Sequence, residues 1–296
     1  MPVVASRPVA RLSGQSVRVI YLLGLTAVVV VPFVALLFAL HQLWNRGVGW
    51  TEVLLLVGMY VPISLGVTAG FHRMLTHKSF VAHPIVKFVL LVLGSMAIEG
   101  NCIGWAADHL LHHQLSDKKG DPHSPTDGLW HAHLGWLFDG KQADPASYCP
   151  ALRKDPVITF VDRTYYFWVA LSLAIPFAIA GWQGLVWGGL VRIFFVHHVT
   201  WSVNSVCHTW GTRPYATDDR SHNNWFVGML AMGEGYHNSH HRWPRAAIHG
   251  MDRWQLDVSG WLIQLLEKVH LATDVCRISL ETRLRGREGG RAGVRA

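Results

Sequence analysis

The stretch from Val53 to His77 reads VLLLVGMYVPISLGVTAGFHRMLTH. From Val53 to His72 it carries no Asp, Glu, Lys or Arg. A helix needs about 20 mostly apolar residues to cross a bilayer. The segment therefore predicts a membrane span with two histidines, His72 and His77, at one end. Working outward, Val19–Asn45 is a second uncharged run, which as a helix would reach ~40 Å and cross with some tilt. A third run lies between Arg163 and Arg192 and is too long for one crossing. Gly181-Trp-Gln-Gly184 is the natural turn within it, since Gly breaks helices and Trp favours the interface. Spans near 164–181 and 184–206 follow. Arg192 then falls inside a span and must face protein, snorkel or meet water. Segment 85–105 is apolar but holds Lys87 and Glu99, and is expected as a helix in or against the interface.

Composition agrees with a membrane protein. Of 296 residues, 50% are hydrophobic and 15% charged, with a mean hydropathy of +0.22. A soluble domain carries about 25% charged residues. The net charge of +7 gathers partly in a basic tail, where Arg283, Arg285, Arg287, Arg291 and Arg295 face one Glu288. Such a tail suits an anionic membrane surface rather than nucleic acid. Basic residues Arg7, Arg11 and Arg18, those of loop 73–163 and those of the last third all mark one side. By the positive-inside rule, both termini and the long loop are expected to be cytoplasmic, in a multi-pass cell-membrane protein. The first span is too long for a cleaved signal peptide. Cys102, Cys149, Cys207 and Cys276 show no CxxC spacing. Residues 1–18 read as a basic tail, 19–276 as one membrane domain and 277–296 as a basic, disordered tail.

Histidine is as abundant as Asp and Glu together, 19 of each. Three clusters stand out: His72 with His77; His109, His112 and His113; and His237, His240 and His241. The last two share the spacing HxxHH, which on a helix puts three imidazoles on one face and is expected to aim each trio at one point. His72 and His77 lie ~140° apart on an ideal helix. They serve two ions, or the helix unwinds between them. Asn204 and His208 form a further pair one turn apart. So many imidazoles exceed the four ligands of one zinc and suit two metal ions. Carboxylates are nearly absent from the clusters, unlike the Glu/His bundle pattern. His83, His123, His131, His133, His197, His198, His222, His249 and His270 read as structural or supporting, and His41 as incidental.

The order HxxxxH, HxxHH, HxxHH between hydrophobic hairpins resembles the integral-membrane fatty acyl desaturases of the stearoyl-CoA desaturase type. Gly66-Val-Thr-Ala-Gly-Phe-His72-Arg, Trp105-Ala-Ala-Asp-His109, Gly120-Asp-Pro-His123, Thr200-Trp-Ser-Val-Asn204-Ser-Val-Cys-His208, Arg213-Pro-Tyr215 and Gly233-Glu-Gly-Tyr-His237-Asn-Ser-His-His241 follow the family order. The resemblance spans roughly 19–276. Asn223-Asn224-Trp225 and the run from Trp254 to Val275 look like its bacterial branch.

The resemblance implies an all-α fold of four transmembrane helices in two hairpins, with a cytosolic helical cap over a His-rich di-metal site. It implies two non-haem irons on His72, His77, His109, His112, His113, His208, His237, His240 and His241, with Asn204 completing the set through a water. The implied reaction removes two hydrogens from adjacent methylenes of a long acyl chain, with O₂ reduced to water. An unactivated C–H bond needs a redox-active metal. Electrons would come from a separate carrier such as ferredoxin or a cytochrome b5-type protein with its reductase, since no cluster or flavin fingerprint is present. Tyr60 and Ser64 match positions that close the acyl tunnel. Trp105, Thr200 and Trp201 match its bend.

Animal acyl-CoA members carry an amide-rich pair and an Arg where this chain has Glu99, Gly100 and Ala107. Acyl-CoA is favoured as carrier over acyl carrier protein or a membrane lipid, and Δ9 as position. Two other readings stand beside this one. A hydroxylase of the alkane or carotenoid type would use related boxes. A metal transporter or haem-binding membrane protein would place ligands near the midplane of the spans.

Overall fold

The computed structural model describes residues 9–11 and 15–293. The expected N-terminal tail therefore lies mostly outside the described residues. Within it, Val9–Arg11 forms strand β1 and Gln15 begins the first helix.

The described residues are mostly helical. In order come α1 (Gln15–Arg46), α2 (Trp50–Leu65), α3 (Pro84–Ser95), α4 (Cys102–Leu115), α5 (Leu129–His133), α6 (Pro145–Tyr148) and α7 (Pro156–Arg163). Then follow α8 (Tyr165–Gly184), α9 (Arg192–Ser205), α10 (Trp225–Leu230), α11 (His237–Arg242), α12 (Val258–Lys268) and α13 (Leu280–Gly293). α2 continues into a π-helical stretch, Gly66–Thr76, and Leu185–Val191 is π-helical between α8 and α9. Two short antiparallel ladders tie loops together. β1 pairs with β3 (Lys141–Ala143), with Val9 opposite Ala143, and β2 (Val81–Ala82) pairs with β4 (Ala272–Thr273).

Three stretches are long and apolar enough to cross a membrane: Arg18–Arg46, Trp50–Thr76 and Tyr165–Ser205. On α1, Val30, Phe33, Val34, Leu37 and Phe38 are about half exposed, so its outer face has no protein neighbour and suits lipid. The third stretch has 41 residues. As a straight helix it would reach ~60 Å, twice the hydrocarbon core. It is not straight. Ala180 (φ −139°, ψ 26°) and Gly181 (φ 55°, ψ −138°) leave helical geometry. Gly181 can adopt this left-handed φ because it has no Cβ. Beyond the break the chain packs back on itself. A Cβ on Gly184 would run into the Pro176 carbonyl, and Gly189 sits against Leu173.

Arg192 resolves as a buried cross-link. Its guanidinium donates to the carbonyls of Gly188 (3.2 Å), Met96 (2.9 Å) and Ser172 (3.3 Å), joining α9 to α8 and to the turn after α3. A buried cation with its donors satisfied avoids most of the penalty of an orphaned one.

Segment 85–105 differs from the single interfacial helix expected. It is two helices, α3 and α4, broken at 96–101. Ile98 (φ 64°) and Gly100 (φ 104°) turn the chain there, and Asn101 caps α4 by accepting from Gly104 N at 3.2 Å. One face of α3 packs on the π stretch. Gly66 lies directly against the backbone of Gly94 and Leu93, a contact that leaves no room for a side chain. Leu90, Leu91, Phe71, Met74, Ala106 and Ile263 continue this core.

The C-terminal segment also differs from expectation. Leu280–Gly293 is helix α13, not a disordered tail, although 294–296 lie outside the described residues. Gly286 packs on Trp243, and Arg287 pairs with Asp252 at 2.7 Å, which gives the basic segment specific partners.

Candidate metal centre

The first histidine pair sits where α2 changes pitch. His77 N donates to His72 O at 3.1 Å, an i→i+5 bond. That widened turn carries residues five apart to the same face. It removes the ~140° separation of an ideal helix, and the two rings stand 4.7 Å apart.

Each HxxHH box is helical, as its spacing requires, on α4 and α11. The trios do not each aim at one point, however. The structure assembles His72, His77, His109, His113 and His240 in one group, and His112, His208, His237 and His241 in another. The reason is helical. At ~100° per residue, position i+4 lies ~40° to one side of i, and i+3 lies ~60° to the other. So the i, i+4 pairs, His109 with His113 and His237 with His241, each stay together. The i+3 residues, His112 and His240, cross to the opposite group.

The nitrogens fit metal ions. Within each group the donor atoms lie within 4.8 Å of one another. Metal–nitrogen bonds of ~2.1 Å would set donors on one ion about 3–4 Å apart. Nε2 atoms face each other at 3.1 Å (His72 and His240), 3.0 Å (His77 and His109), 2.9 Å (His113 and His240) and 3.0 Å (His237 and His241). Nε2 of His112 and of His208 is buried without a partner. Orphaned buried acceptors are costly, and a cation between them would satisfy the set.

The other ring nitrogens explain the orientation. Nδ1 of His112 bonds Asp121 at 2.9 Å, that of His208 bonds Asp117 at 2.8 Å, and that of His241 bonds Asp219 at 2.6 Å. A proton held on Nδ1 by a carboxylate leaves the Nε2 lone pair aimed inward. In the group of five, His72 Nδ1 lies 2.7 Å from Glu234, which Arg73 holds at 3.0 Å. Burial first, and then the neighbouring imidazoles, hold His77, His109, His113, His237, His240 and His241 well below the ordinary histidine range. Neutral imidazole is the ligating form. Burial pushes the Asp121 and Asp219 carboxyls up. The imidazoles of His112 and His241 beside them pull harder, and both carboxyls lie below the usual range.

These four carboxylates are what the sequence reading passed over when it found the boxes poor in acid. Asp121 stands in Gly120-Asp-Pro-His123 and Glu234 two residues before Tyr236, so both had a motif to mark them. Asp117 and Asp219 had none. His123 and His249 hold supporting places. His123 packs on His112 with ring centroids 4.3 Å apart, and His249 lies 3.1 Å from Glu234.

Two mainly apolar cavities adjoin His109. The larger, about 570 Å³, opens between α1, α4, α8 and α9 and is lined by Tyr21, Glu99, Trp105, His109, Thr200 and Trp201, among others. The smaller, about 50 Å³, is lined by Ser64, Thr68, His72, Trp105, Thr200 and Asn204, with His109 and His237 at its wall. Both share Trp105, His109, Thr200 and Asn204, so the two cavities adjoin beside the histidine groups. The Trp105 ring stacks on His109 at 5.1 Å. Of the residues expected to line a tunnel, Ser64, Trp105, Thr200 and Trp201 do line these cavities. Tyr60 lines neither. It packs beside Ile63 and Val67, and its hydroxyl donates to Leu230 O at 2.8 Å, one residue from the wall residue Ala231. Ala107 is fully buried in the core and lines neither cavity.

A nest of imidazoles that could hold metal ions lies beside apolar cavities, on a helical frame with membrane-length segments. The fatty acid desaturase family profile matches residues 48–259, and the chain belongs to that family of oxidoreductases of lipid metabolism. Among its relatives, the chloroplastic palmitoyl-monogalactosyldiacylglycerol delta-7 desaturase of Arabidopsis thaliana is 41% identical over 232 residues, 76% of this chain and 62% of that protein. The hex-5-enoyl-[acyl-carrier protein] acetylenase of Moorena producens (strain JHB) is 36% identical over 267 residues, 83% of either chain. The acyl-CoA C20 Delta5-desaturase of Anemone leveillei is 41% identical over 214 residues, 71% of this chain and 69% of that one.

Proposed function

We propose that this protein is an O₂-dependent acyl desaturase that places a cis double bond in a long acyl chain. The observation that carries the reading is the division of nine buried or half-buried histidines into groups of five and four beside two adjoining apolar cavities. In this reading His72, His77, His109, His113 and His240 hold one iron. His112, His208, His237 and His241 hold the other, with Asn204 acting through a water. Iron held there would activate O₂, the oxidant that C–H cleavage requires. The protein's own part is geometric. Trp105, Thr200 and Trp201 shape the channel past His109, and Ser64, with Tyr60 behind it, closes the inner end. Fixing the chain lets one pair of methylenes meet the metals.

The proposed topology has four spans in two hairpins, with termini and metal centre on the cytoplasmic side. The reversal at Ala180–Gly181 supports the second hairpin. The β1–β3 pairing supports it too, by holding the N-terminal segment beside the loop after the second box. Electrons are proposed to come from a separate ferredoxin or cytochrome b5-type carrier.

The first substrate to test is a long-chain acyl-CoA, with Δ9 as the expected position. The relatives' names span glycolipid, acyl carrier protein and CoA substrates, so chains on all three carriers belong in the assay. Gas chromatography of lipids from expressing cells is expected to show new double bonds. Metal analysis is expected to give about two irons per chain without a haem band, the number that nine imidazoles suit. Hydroxylated products without double bonds would replace this reading with a hydroxylase.

A further inference from the structure

His249 belongs to neither the group of five nor the group of four, yet it is fully buried and its ring lies against two members of the larger one, His72 and His240. Its backbone is pinned from outside the centre. His249 N donates to Asp257 Oδ2 at 2.6 Å, and Gly250 N donates to the same oxygen at 3.1 Å. Arg73, which pairs with Asp257 at 2.9 Å, donates to Ala247 O at 2.8 Å. The imidazole therefore has a fixed place behind the ligands. Its Nδ1 lies 3.1 Å from Glu234 Oε2, the oxygen that also faces His72 Nδ1 at 2.7 Å. Its Nε2 is buried without a hydrogen-bond partner among the described residues.

His240 has the complementary need. Its Nε2 faces the Nε2 atoms of His72 and His113 at 3.1 and 2.9 Å, so Nδ1 is its outer nitrogen. That atom too is buried without a hydrogen-bond partner among the described residues. An imidazole that ligates through Nε2 carries its hydrogen on Nδ1, and a buried N–H asks for an acceptor. With its own hydrogen turned to Glu234, neutral His249 has a lone pair on Nε2. The two rings stand 4.7 Å apart between centroids, with planes 39° apart. The His133–His198 pair, whose nitrogens meet at 3.0 Å, stands at 5.2 Å and 35°, so this spacing is within reach of such a bond. We propose that His249 accepts the Nδ1 hydrogen of His240 and so joins His240 to the Glu234 carboxylate. His249 is thus a positioning residue. One glutamate then holds two ligands of the larger group, His72 directly and His240 through His249. This inference rests on reading the five histidines as one metal group.

The test uses the purified full chain in lipid nanodiscs, freed of metal and titrated with Fe²⁺ in the absence of oxygen. The isotherm of the smaller group is the one that Asp219→Asn weakens. His249→Leu is expected to weaken the larger group about 10- to 100-fold, the loss that follows when a ligating histidine is freed, and to leave the smaller group unchanged. His249→Gln, whose amide both donates and accepts, is expected to keep the wild-type affinity. In a His240→Ala background, His249→Leu is expected to cost little more, because the ligand it acts through is gone. A loss as large in that background as in the wild type overturns the proposal and makes His249 a packing residue. A His249→Gln protein that folds but loses the larger site overturns it too, and this arm stands even where His249→Leu does not assemble. Failure of the wild type to bind Fe²⁺ would overturn the metal reading and this inference with it, whereas additive losses with metal bound overturn the His249 link alone.

Discussion

The two histidine groups are built by different means. The group of five, His72, His77, His109, His113 and His240, relies on number. Its Nε2 atoms crowd together at 2.9–3.1 Å, and among the described residues only His72 of this group has a carboxylate at its outer nitrogen. The group of four relies on orientation. Three of its members, His112, His208 and His241, are each locked by an aspartate. A ligand shell can thus be made sufficient by redundancy or by rigid aim. The two designs should fail differently when damaged.

The sharpest break compares one ligand from each group. His237→Ala leaves three imidazoles in the smaller group and is expected to weaken metal binding there and to abolish product. His240→Ala leaves four in the larger group. It is expected to abolish product while most of the metal stays bound, with the protein still inserted in the membrane. Metal content and lipid analysis together read this. Equal metal loss in both variants would show that redundancy gives the larger group no advantage.

The carboxylates come next. Asp219→Asn leaves His241 in place but frees its tautomer, and should weaken metal binding about 10- to 100-fold. Titration of metal-free protein with Fe²⁺ is expected to show one weakened site and one unchanged. Glu234 is a different case, because it also faces Arg73, which is fully buried and pairs with Asp257 at 2.9 Å. Arg73→Ala would strand both carboxylates and is expected to cost about 3–5 kcal/mol of stability, visible as a lower Tm whether or not metal is present.

These contrasts mark how far the sequence could be read. That the histidines gather was legible because HxxHH spacing is tied to helical pitch. How they divide into two groups was not. It depends on which way each helix axis lies, so His112 and His240 crossed over against expectation. The His72–His77 problem was visible as a conflict with α-helical geometry, and a π turn resolves it. Asp117 and Asp219 were illegible because loops far apart in sequence deliver them to His208 and His241. The break of segment 85–105 escaped notice because composition reports apolarity and not direction. Only Gly66 against Gly94 and the positive φ of Ile98 show why α3 folds onto the π stretch. The expectation of a disordered C-terminal tail erred in the same way, since α13 owes its place to Trp243 and Asp252, which composition does not see.

The smallest effect tests whether the group of four has a fifth donor. Asn204 lines the inner cavity with His72, His109 and His237. If it acts through a water, its removal deletes a mediated contact rather than a direct bond to the metal. Asn204→Ala is therefore expected to weaken iron binding by less than tenfold, well short of Asp219→Asn, and to act on the same site. Asn204→Asp supplies a charged oxygen in the same place and should restore or exceed wild-type affinity at that site alone. Were Asn204→Ala to weaken the group of five instead, the water-bridged assignment would move to the other ion. The contrast between redundancy and aim would then be redrawn as six donors against four.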